Sequence, residues 1–357
     1  MGGDITLEDA VFTKATPEQR RLAWELNGAS WATPMSIPDY VERETTLSET
    51  ALSRDGGCTY WILHRRDDPS DIISGCEVTR KEILIADAGG PRVATGYSIA
   101  SVYTNPKYRA KGMAGMMLRR VQEWMDADSE CSALYSDIGR SYYAGLGWPS
   151  FDSSQATLVH DASKATAPLR APEGVEYLKE KDIEPLCARD VAALEKKFEA
   201  LPRDGTTFVT FKPTFAQISW HFARDGFMAR KLRDGREIVH RGARVPGRES
   251  WIYWDHDFRE KKFKILRYVV EGEGGRAAED LGLLLAAAVF EAHEWGLHKL
   301  LIWRPDEATS ETIRSWNRED LSVVFNVRED GSIPSLRWKG GEATETEWLF
   351  NEYYSWC

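Results

Sequence analysis

Along this chain, stretches whose apolar residues recur every three or four positions alternate with short β-branched runs bounded by Gly, Pro and Asp. That alternation predicts an α/β protein. Residues 5–14 read as a first strand. Thr16-Pro17-Glu18-Gln19 reads as a helix start, with Pro at the first helical position and a Thr-x-x-Gln capping box. A second helix is predicted over 38–52. Residues 59–64 and 72–79 read as antiparallel strands around the charged turn 65–71, with a further strand at 82–86. Residues 93–102 read as a buried strand. Ala114, Met117, Leu118, Val121 and Met125 then fall at helical steps and make one apolar face. Residues 132–137 are a further strand, and 147–159 are expected to close this first sheet.

Residues 161–174, rich in small residues and Pro, form the clearest linker. The expected division is therefore a first domain over 1–160, the linker, and a second α/β domain over 175–357. In the second domain Ile183, Leu186, Cys187, Val191, Leu194 and Phe198 lie on one helical face. A helix is predicted over 215–227. Strands at 251–254 and 264–270, a long apolar helix over 277–295 and a strand at 299–303 follow. Strand–helix–strand here echoes the first half, although that order is common in any α/β domain.

The stretch from Ser101 to Leu118 carries the first chemistry. A strand turns through Arg109, Ala110, Lys111, Gly112, Met113, Ala114 and Gly115 into a helix, in the pattern Arg-x-x-Gly-x-Ala. A helix start presents unpaired N–H groups and partial positive charge. Small residues let an anion approach the backbone, and Arg109 and Lys111 add charge at the rim, so the loop fits a pyrophosphate. A tight β-to-α turn with two solvated basic residues is the plainer alternative. After the next strand come Ser136, Gly139, Tyr143, Gly147 and Trp148 in Ser-x-x-Gly-x-x-x-Tyr-x-x-x-Gly-Trp.

Together these segments resemble the GCN5-related N-acetyltransferase (GNAT) superfamily. The runs Cys76–Lys81, Ile99–Val102, Leu134–Gly139 and Asn351–Cys357 are similar to the fungal lysine N6-acetyltransferases of lysine catabolism. The resemblance implies a mixed, mostly antiparallel sheet flanked by helices, followed by a C-terminal α/β domain that reads as a degenerate second GNAT-like domain. The two glutamates of its equivalent turn, Glu271 to Arg276, would repel a pyrophosphate. The resemblance also implies acetyl-CoA as cofactor, held by the strand residues Ala100, Ser101 and Val102, by the loop 109–115, and by Ser136 and Tyr142. Ser136, Gly139 and Trp148 replace the family's Asn, Ala and Phe. Tyr143 falls where the family places the acid that protonates the departing thiolate, with a packed aromatic beside Tyr142 as the alternative. Glu77 and Asp137 are the carboxylates expected near the site, as base or as partner for a cationic substrate, against the plainer reading of surface or ion-paired acids. Trp31 and Tyr40 are candidate contacts to the acceptor, and the carboxylate of Cys357 is a third acid, brought in by the aromatic tail 348–356.

Composition narrows the partners. A net charge of −10 argues against nucleic acid and is compatible with a cationic amine. Five scattered cysteines give no disulfide framework, and seven histidines show no metal spacing, so no metal is expected. Fourteen tryptophans are mostly core, with some available to line a pocket. No apolar run reaches membrane-span length, and the start lacks a signal-peptide pattern. Met1-Gly2-Gly3 fits a bare myristoylation pattern, but no basic patch supplies a second anchor. The expectation is a cytoplasmic monomer or homodimer that acetylates a small primary amine, with free lysine as the first substrate. Another amino acid, a polyamine or an amine natural product is the alternative. A non-catalytic acyl-CoA-binding scaffold and a protein acetyltransferase are the rivals.

Overall fold

The first helix starts where its cap demands. In the computed structural model, which describes residues 6–164, 167–316, 319–339 and 345–356, the Gln19 N–H donates to Thr16 Oγ1 (3.2 Å) and the Thr16 N–H donates back to Gln19 Oε1 (3.1 Å). In chain order the first half contains β1 (Ala10–Lys14), α1 (Pro17–Trp31), α2 (Ile37–Ser48), β2 (Cys58–Arg65), β3 (Ile72–Asp87), β4 (Gly90–Thr104), α3 (Met113–Met125), β5 (Cys131–Ser136), a short α4 (Ser141–Ala144) and β6 (Ser154–His160). The second half contains β7 (Glu176–Leu178), α5 (Glu180–Glu199), β8 (Thr207–Phe211), α6 (Phe215–Leu232), β9 (Gly242–Arg244), β10 (Trp251–Asp257) and β11 (Lys262–Val269). It ends with α7 (Gly275–Glu294), β12 (Lys299–Trp303), α8 (Glu307–Arg314), β13 (Leu321–Val327), β14 (Ile333–Trp338) and β15 (Thr346–Trp348). No helix among the described residues is long and apolar enough to cross a membrane.

The first sheet runs β1-β2-β3-β4-β5-β14, with β8 on the far half of β3 and β15 beyond it. The second runs β13-β6-β12-β11-β10-β9-β7. Most pairs are antiparallel. Of the three parallel pairs among the described residues, β4–β5 and β11–β12 are each joined through a helix, α3 and α7, so the second half repeats the strand–helix–strand unit of the first; the third is β8–β15. The mixed, mostly antiparallel GNAT architecture expected from the sequence is present.

One strand lies elsewhere than its position in the chain suggests. Residues 154–160, expected to close the first sheet, sit between β12 and β13 of the second. Ala156 and Leu158 point into the second core, against Leu300 and Ile302. The outer edge of β5 is covered instead by β14, antiparallel from Ser136↔Ile333 to Cys131↔Trp338. Each sheet therefore holds strands from both halves of the chain.

Three buried layers follow. Met113, Met117, Leu118, Val121 and Met125 of α3 pack on Trp61, Tyr97 and Ile99 of the first sheet. α7 packs on the second sheet through Leu281, Leu284, Leu285 and Ala288. Between the sheets, Ile83, Ile85 and Ala133 meet Trp251, Tyr253 and Leu266 together with Trp348, Tyr353 and Tyr354 of the aromatic tail.

A buried ion cluster fixes that tail. Arg267 Nε and Nη2 each donate to the Asp190 carboxylate at 2.8 Å, and Nη1 donates to Glu352. Lys81 Nζ donates to the Ser355 carbonyl (2.8 Å), and the Tyr135 hydroxyl donates to Asn351 Oδ1 (2.7 Å). Removing one member of such a cluster leaves buried charge unpaired. Arg267→Ala is expected to destabilise the fold by about 3–5 kcal/mol, read as a lower urea midpoint at unchanged slope. A midpoint within experimental error of wild type would show that the cluster does not hold the tail.

Candidate active site

Where β3 runs beside β4 the ladder slips by one residue. Glu77 pairs with Ala100 and Gly75 with Tyr103, so Ser101 and Val102 together face Cys76. Ser101 adopts φ 53°, an uncommon conformation for a side-chain-bearing residue, as a bulge at a strand bend requires. On the other side of β4, pairing with β5 ends at Ile99↔Leu134. Beyond that point the two strands part, and the β5-facing backbone edge of β4 from Ala100 onward is left outside the ladder.

A cavity with about 1000 Å³ of open space lies at this parting. Its floor is Glu77 and Thr79 of β3, Ile99 to Ser101 of β4, and Tyr135 of β5. One wall is the face of α2 that carries Tyr40, Arg43, Glu44 and Leu47, with Trp31 at the end of α1. A second wall, joined to α2 by Lys231 with Asp39 and Glu42, is α6, through Trp220 and Arg224, with the tail residue Trp356. Of the residues singled out in the sequence, the structure gathers Glu77, Ala100, Ser101, Trp31, Tyr40 and Asp137 around one space. Cys357 lies outside the described residues.

Glu77 has an unusual environment. Burial, and next the negative charge of Glu44, push its carboxyl up to about 8, while hydrogen bonds from the Trp24 indole (3.4 Å) and the Ser101 hydroxyl favour the ionised form. Glu44 itself is held by Arg43, whose Nε donates to it at 2.9 Å. Asp137 sits at the exposed rim, where it accepts the Ser332 N–H at 2.8 Å. Arg224 is 7% exposed and no side chain or backbone group among the described residues hydrogen-bonds it. Its guanidinium lies 5.5 Å from the Trp356 ring.

The basic loop leads into an open helix start. Ala110 and Gly112 both have positive φ (60° and 75°), and Gly112 opens α3 with no side chain capping the helix. The loop is exposed from Arg109 to Gly112, while Met113 turns into the core, so the helix start offers backbone to the solvent side. Arg109 reaches back along β4: its Nε donates to the Thr104 carbonyl (3.1 Å) and its guanidinium lies 5.3 Å from the Tyr103 ring.

Tyr143 is buried on α4 among Cys76, Ile99 and Leu134, and burial raises its phenol well above the ordinary value, so it keeps its proton at neutral pH. Trp148 fixes this turn, its N–H bonded to the Tyr143 carbonyl (2.9 Å) and its indole to Ser132 Oγ (3.0 Å). Tyr142 stands outside, edge-on to Tyr143 at 5.1 Å. Ser136 is buried, and its hydroxyl donates to the Gly139 carbonyl (2.7 Å) and accepts the Ile138 N–H (3.2 Å), so its side chain is engaged in its own turn.

The second sheet also opens where β11 leaves β12, into a cavity with about 690 Å³ of open space lined by Lys262 and Lys264 of β11 and Leu301 and Trp303 of β12. Lys264 stands at its side, its Nζ donating to Asp257 and to the Tyr353 hydroxyl at 2.6 Å each. The histidines depart from expectation. His160 of β6, His293 at the end of α7 and His298 in the loop that follows bring ring nitrogens within 4.8 Å of one another. Linear spacing does not bring His160 to the other two, and this cluster shares no lining residue with the cavity of the first sheet.

Sequence reasoning missed Arg43, Glu44, Trp220, Arg224 and Trp356 as a group. The available signal was Arg224 itself, a charge set among Phe222, Phe227 and Met228 on a helix with little polar surface.

Residues 158–357 match the family of the LYC1 GNAT-like C-terminal domain. The chain is 24% identical over 349 residues to a lysine acetyltransferase of Yarrowia lipolytica, covering 85% of this chain and 84% of that protein. Among solved structures, a GCN5-related N-acetyltransferase from Kribbella flavida aligns with a TM-score of 0.52 at 15% identity, over 93% of this chain and 72% of that one. Another from Anabaena variabilis aligns with a TM-score of 0.55 at 13% identity, over 93% and 73%. These two likenesses concern the fold.

The environment of Glu77 can be measured directly. Carboxyl carbon NMR of the glutamate-labelled protein is expected to show one side chain titrating near 8, absent in Glu77→Gln. In Glu44→Gln the midpoint should move down, because a negative neighbour is removed and Arg43 is released. An unchanged midpoint would exclude Glu44 as a cause.

Proposed function

Because the chain belongs to the family of the LYC1 GNAT-like C-terminal domain and is a GNAT acetyltransferase, we propose that it transfers the acetyl group of acetyl-CoA to the ε-amine of free L-lysine. The observation that carries this reading is Glu77 on the floor of a walled cavity, beside the bulge where β4 parts from β5. The Yarrowia relative described as a lysine acetyltransferase supports the choice of amine. The cavity supports a small substrate over a polypeptide, since α2, α6 and Trp356 wall it.

The residues present fit the cofactor. The uncapped start of α3, with Ala110 and Gly112 in left-handed conformations, would hold the pyrophosphate, and the unpaired edge of β4 from Ala100 to Val102 would pair with the pantetheine arm. Bound acetyl-CoA supplies the thioester that the amine attacks.

The chain's own contribution is proton handling and orientation. The ε-ammonium of lysine holds its proton to about pH 10.4, against about 4.3 for an ordinary glutamate, a gap of about six units. Burial of Glu77, which brings it up to about 8, closes most of that gap and leaves a base still ionised for part of the time at neutral pH. The backbone N–H of Ser101 or Val102, freed from the β3 ladder by the bulge, is positioned to polarise the thioester carbonyl. Tyr143 keeps a proton for the departing thiolate. Asp137 and the aromatic rings of Trp31 and Tyr40 border the path of the cationic amine.

The first test is thiol release from acetyl-CoA across lysine, other amino acids, polyamines, aminoglycosides and a lysine peptide. Release with free lysine well above the rest is expected. Preference for the peptide would overturn the reading, and preference for another small amine would replace the substrate.

Rate against pH should fall on the acid side with a midpoint near 8, because Glu77 takes up a proton there. Glu77→Gln is expected to lower kcat by about 10²–10⁴-fold and remove that limb; a limb that survives in the variant belongs to another group. Tyr143→Phe should lower kcat with little change in acetyl-CoA binding, and unchanged turnover would remove Tyr143 as the acid.

A further inference from the structure

The cavity contains a positive charge that the acetyl-transfer chemistry does not use. Arg224 projects from α6, is 7% exposed, lines the same cavity as Glu77, and makes no hydrogen bond or ion pair among the described residues. None of its nitrogens is sealed from solvent, so its five donors remain available to a ligand in the cavity. The acids around it are engaged elsewhere. Asp225 accepts from Arg241 (2.6 Å) and from the His256 N–H (3.1 Å), Asp257 accepts from Lys264 (2.6 Å), and Glu44 is held by Arg43. Asp257 and then Asp255 attract Arg224 through space, but Asp257 is bonded to Lys264 and neither oxygen of Asp255 makes a hydrogen bond. Burial, then the Asp225 charge, push Asp255 up to about 7, so at neutral pH it offers only part of a counter-charge.

We infer that Arg224 binds the α-carboxylate of the amino-acid substrate, and so makes the enzyme select free amino acids over the matching diamines and over lysine side chains in polypeptides. This rests on the proposed function and adds the substrate group that is read. A guanidinium takes a carboxylate through two parallel N–H···O bonds, a geometry that no amine or amide reproduces. The ring of Trp356 lies against the guanidinium and limits its swing. Trp220, one helical turn before Arg224 on α6, and Tyr40 across the cavity supply apolar surface for the methylene chain that leads toward Glu77. The two ends of lysine thus meet opposite chemistry: an acid for the side-chain amine and a guanidinium for the main-chain carboxylate.

The experiment compares kcat/KM for each amino acid with that for its decarboxylated counterpart: L-lysine with 1,5-diaminopentane, and L-ornithine with 1,4-diaminobutane. L-lysinamide serves as a neutral-ended probe. The wild-type enzyme is expected to prefer the carboxylate member of the productive pair by on the order of 100-fold. In Arg224→Met that ratio should collapse toward one, with the loss for the amino acid carried mainly by KM, while Arg224→Lys should keep an intermediate ratio. Thermal unfolding and acetyl-CoA binding report whether each variant is folded. If Arg224→Met does not fold, the wild-type ratios, lysinamide included, decide the matter. A wild-type enzyme that takes a diamine or lysinamide as well as the amino acid overturns the inference, as does a folded Arg224→Met that keeps the wild-type ratio. Failure of lysine as substrate is a separate result: it removes the proposed amine, and the pair that does turn over still reads the carboxylate subsite.

Discussion

The parting of β4 from β5 is the constraint from which the site follows. A sheet with every edge paired has no room for a ligand between its strands. Here the extra residue in β4 rotates the strand at Ser101 just as pairing with β5 ends at Ile99. The bulge removes two backbone groups from the β3 ladder, and the parting removes a partner from the facing edge. Unpaired backbone in a partly buried place asks for hydrogen bonds from outside the chain. The same bend sets Ala100 against Glu77, so the exposed edge and the acid lie side by side. An opening of this kind weakens a sheet, and β14 on the far edge of β5 keeps that strand in register.

The second half of the chain supplies the wall. In its own strand–helix–strand unit Lys264 is tied to Asp257 and to Tyr353, and the tail that carries Tyr353 also sends Trp356 to the cavity of the first half. The charges are arranged with the same economy. Asp225 and Asp257 near α6 are matched by bases and Arg43 is matched by Glu44, while Glu77 and Arg224 are buried charged groups on the cavity with no ion pair among the described residues. Their burial gives each a strong interaction with a ligand of the right charge, since water does not compete.

The sequence made the local units plain. The Thr16–Gln19 box, the apolar face of α3 and the loop from Arg109 to Gly115 are each set by residues within a few positions of one another, and each has its expected form. Glu77 was legible as a cavity residue because it lies on the strand adjoining the one that carries Ala100 and Ser101. The wall of the cavity was not, because Glu44, Trp220 and Trp356 come from helices and a tail that meet only after the two sheets have closed on each other. The placement of 154–160 was hidden for the same reason: strand pattern tells which face is buried, and β6 buries Ala156 and Leu158 equally well in either sheet. Ser136 shows a third limit. Its type and position fit a polar contact to a ligand, yet its hydroxyl closes its own turn. Residues that meet from distant parts of the chain, as His160 meets His293 and His298, leave no trace in spacing.

The exchange of strands between the two sheets has a consequence for how the chain is made. On the ribosome the first sheet emerges through β5 long before β14 exists, so β5 waits with an open edge while most of the second half is synthesised. β6, its own sheet not yet translated, waits with an apolar face uncovered. Open strand edges and uncovered apolar faces are the features that draw nascent chains into wrong pairings. Contacts that join residues so far apart in sequence also slow the search for the native state. This protein therefore cannot ripen one half at a time; its two sheets mature together, late, and within reach of chaperones that bind extended apolar segments.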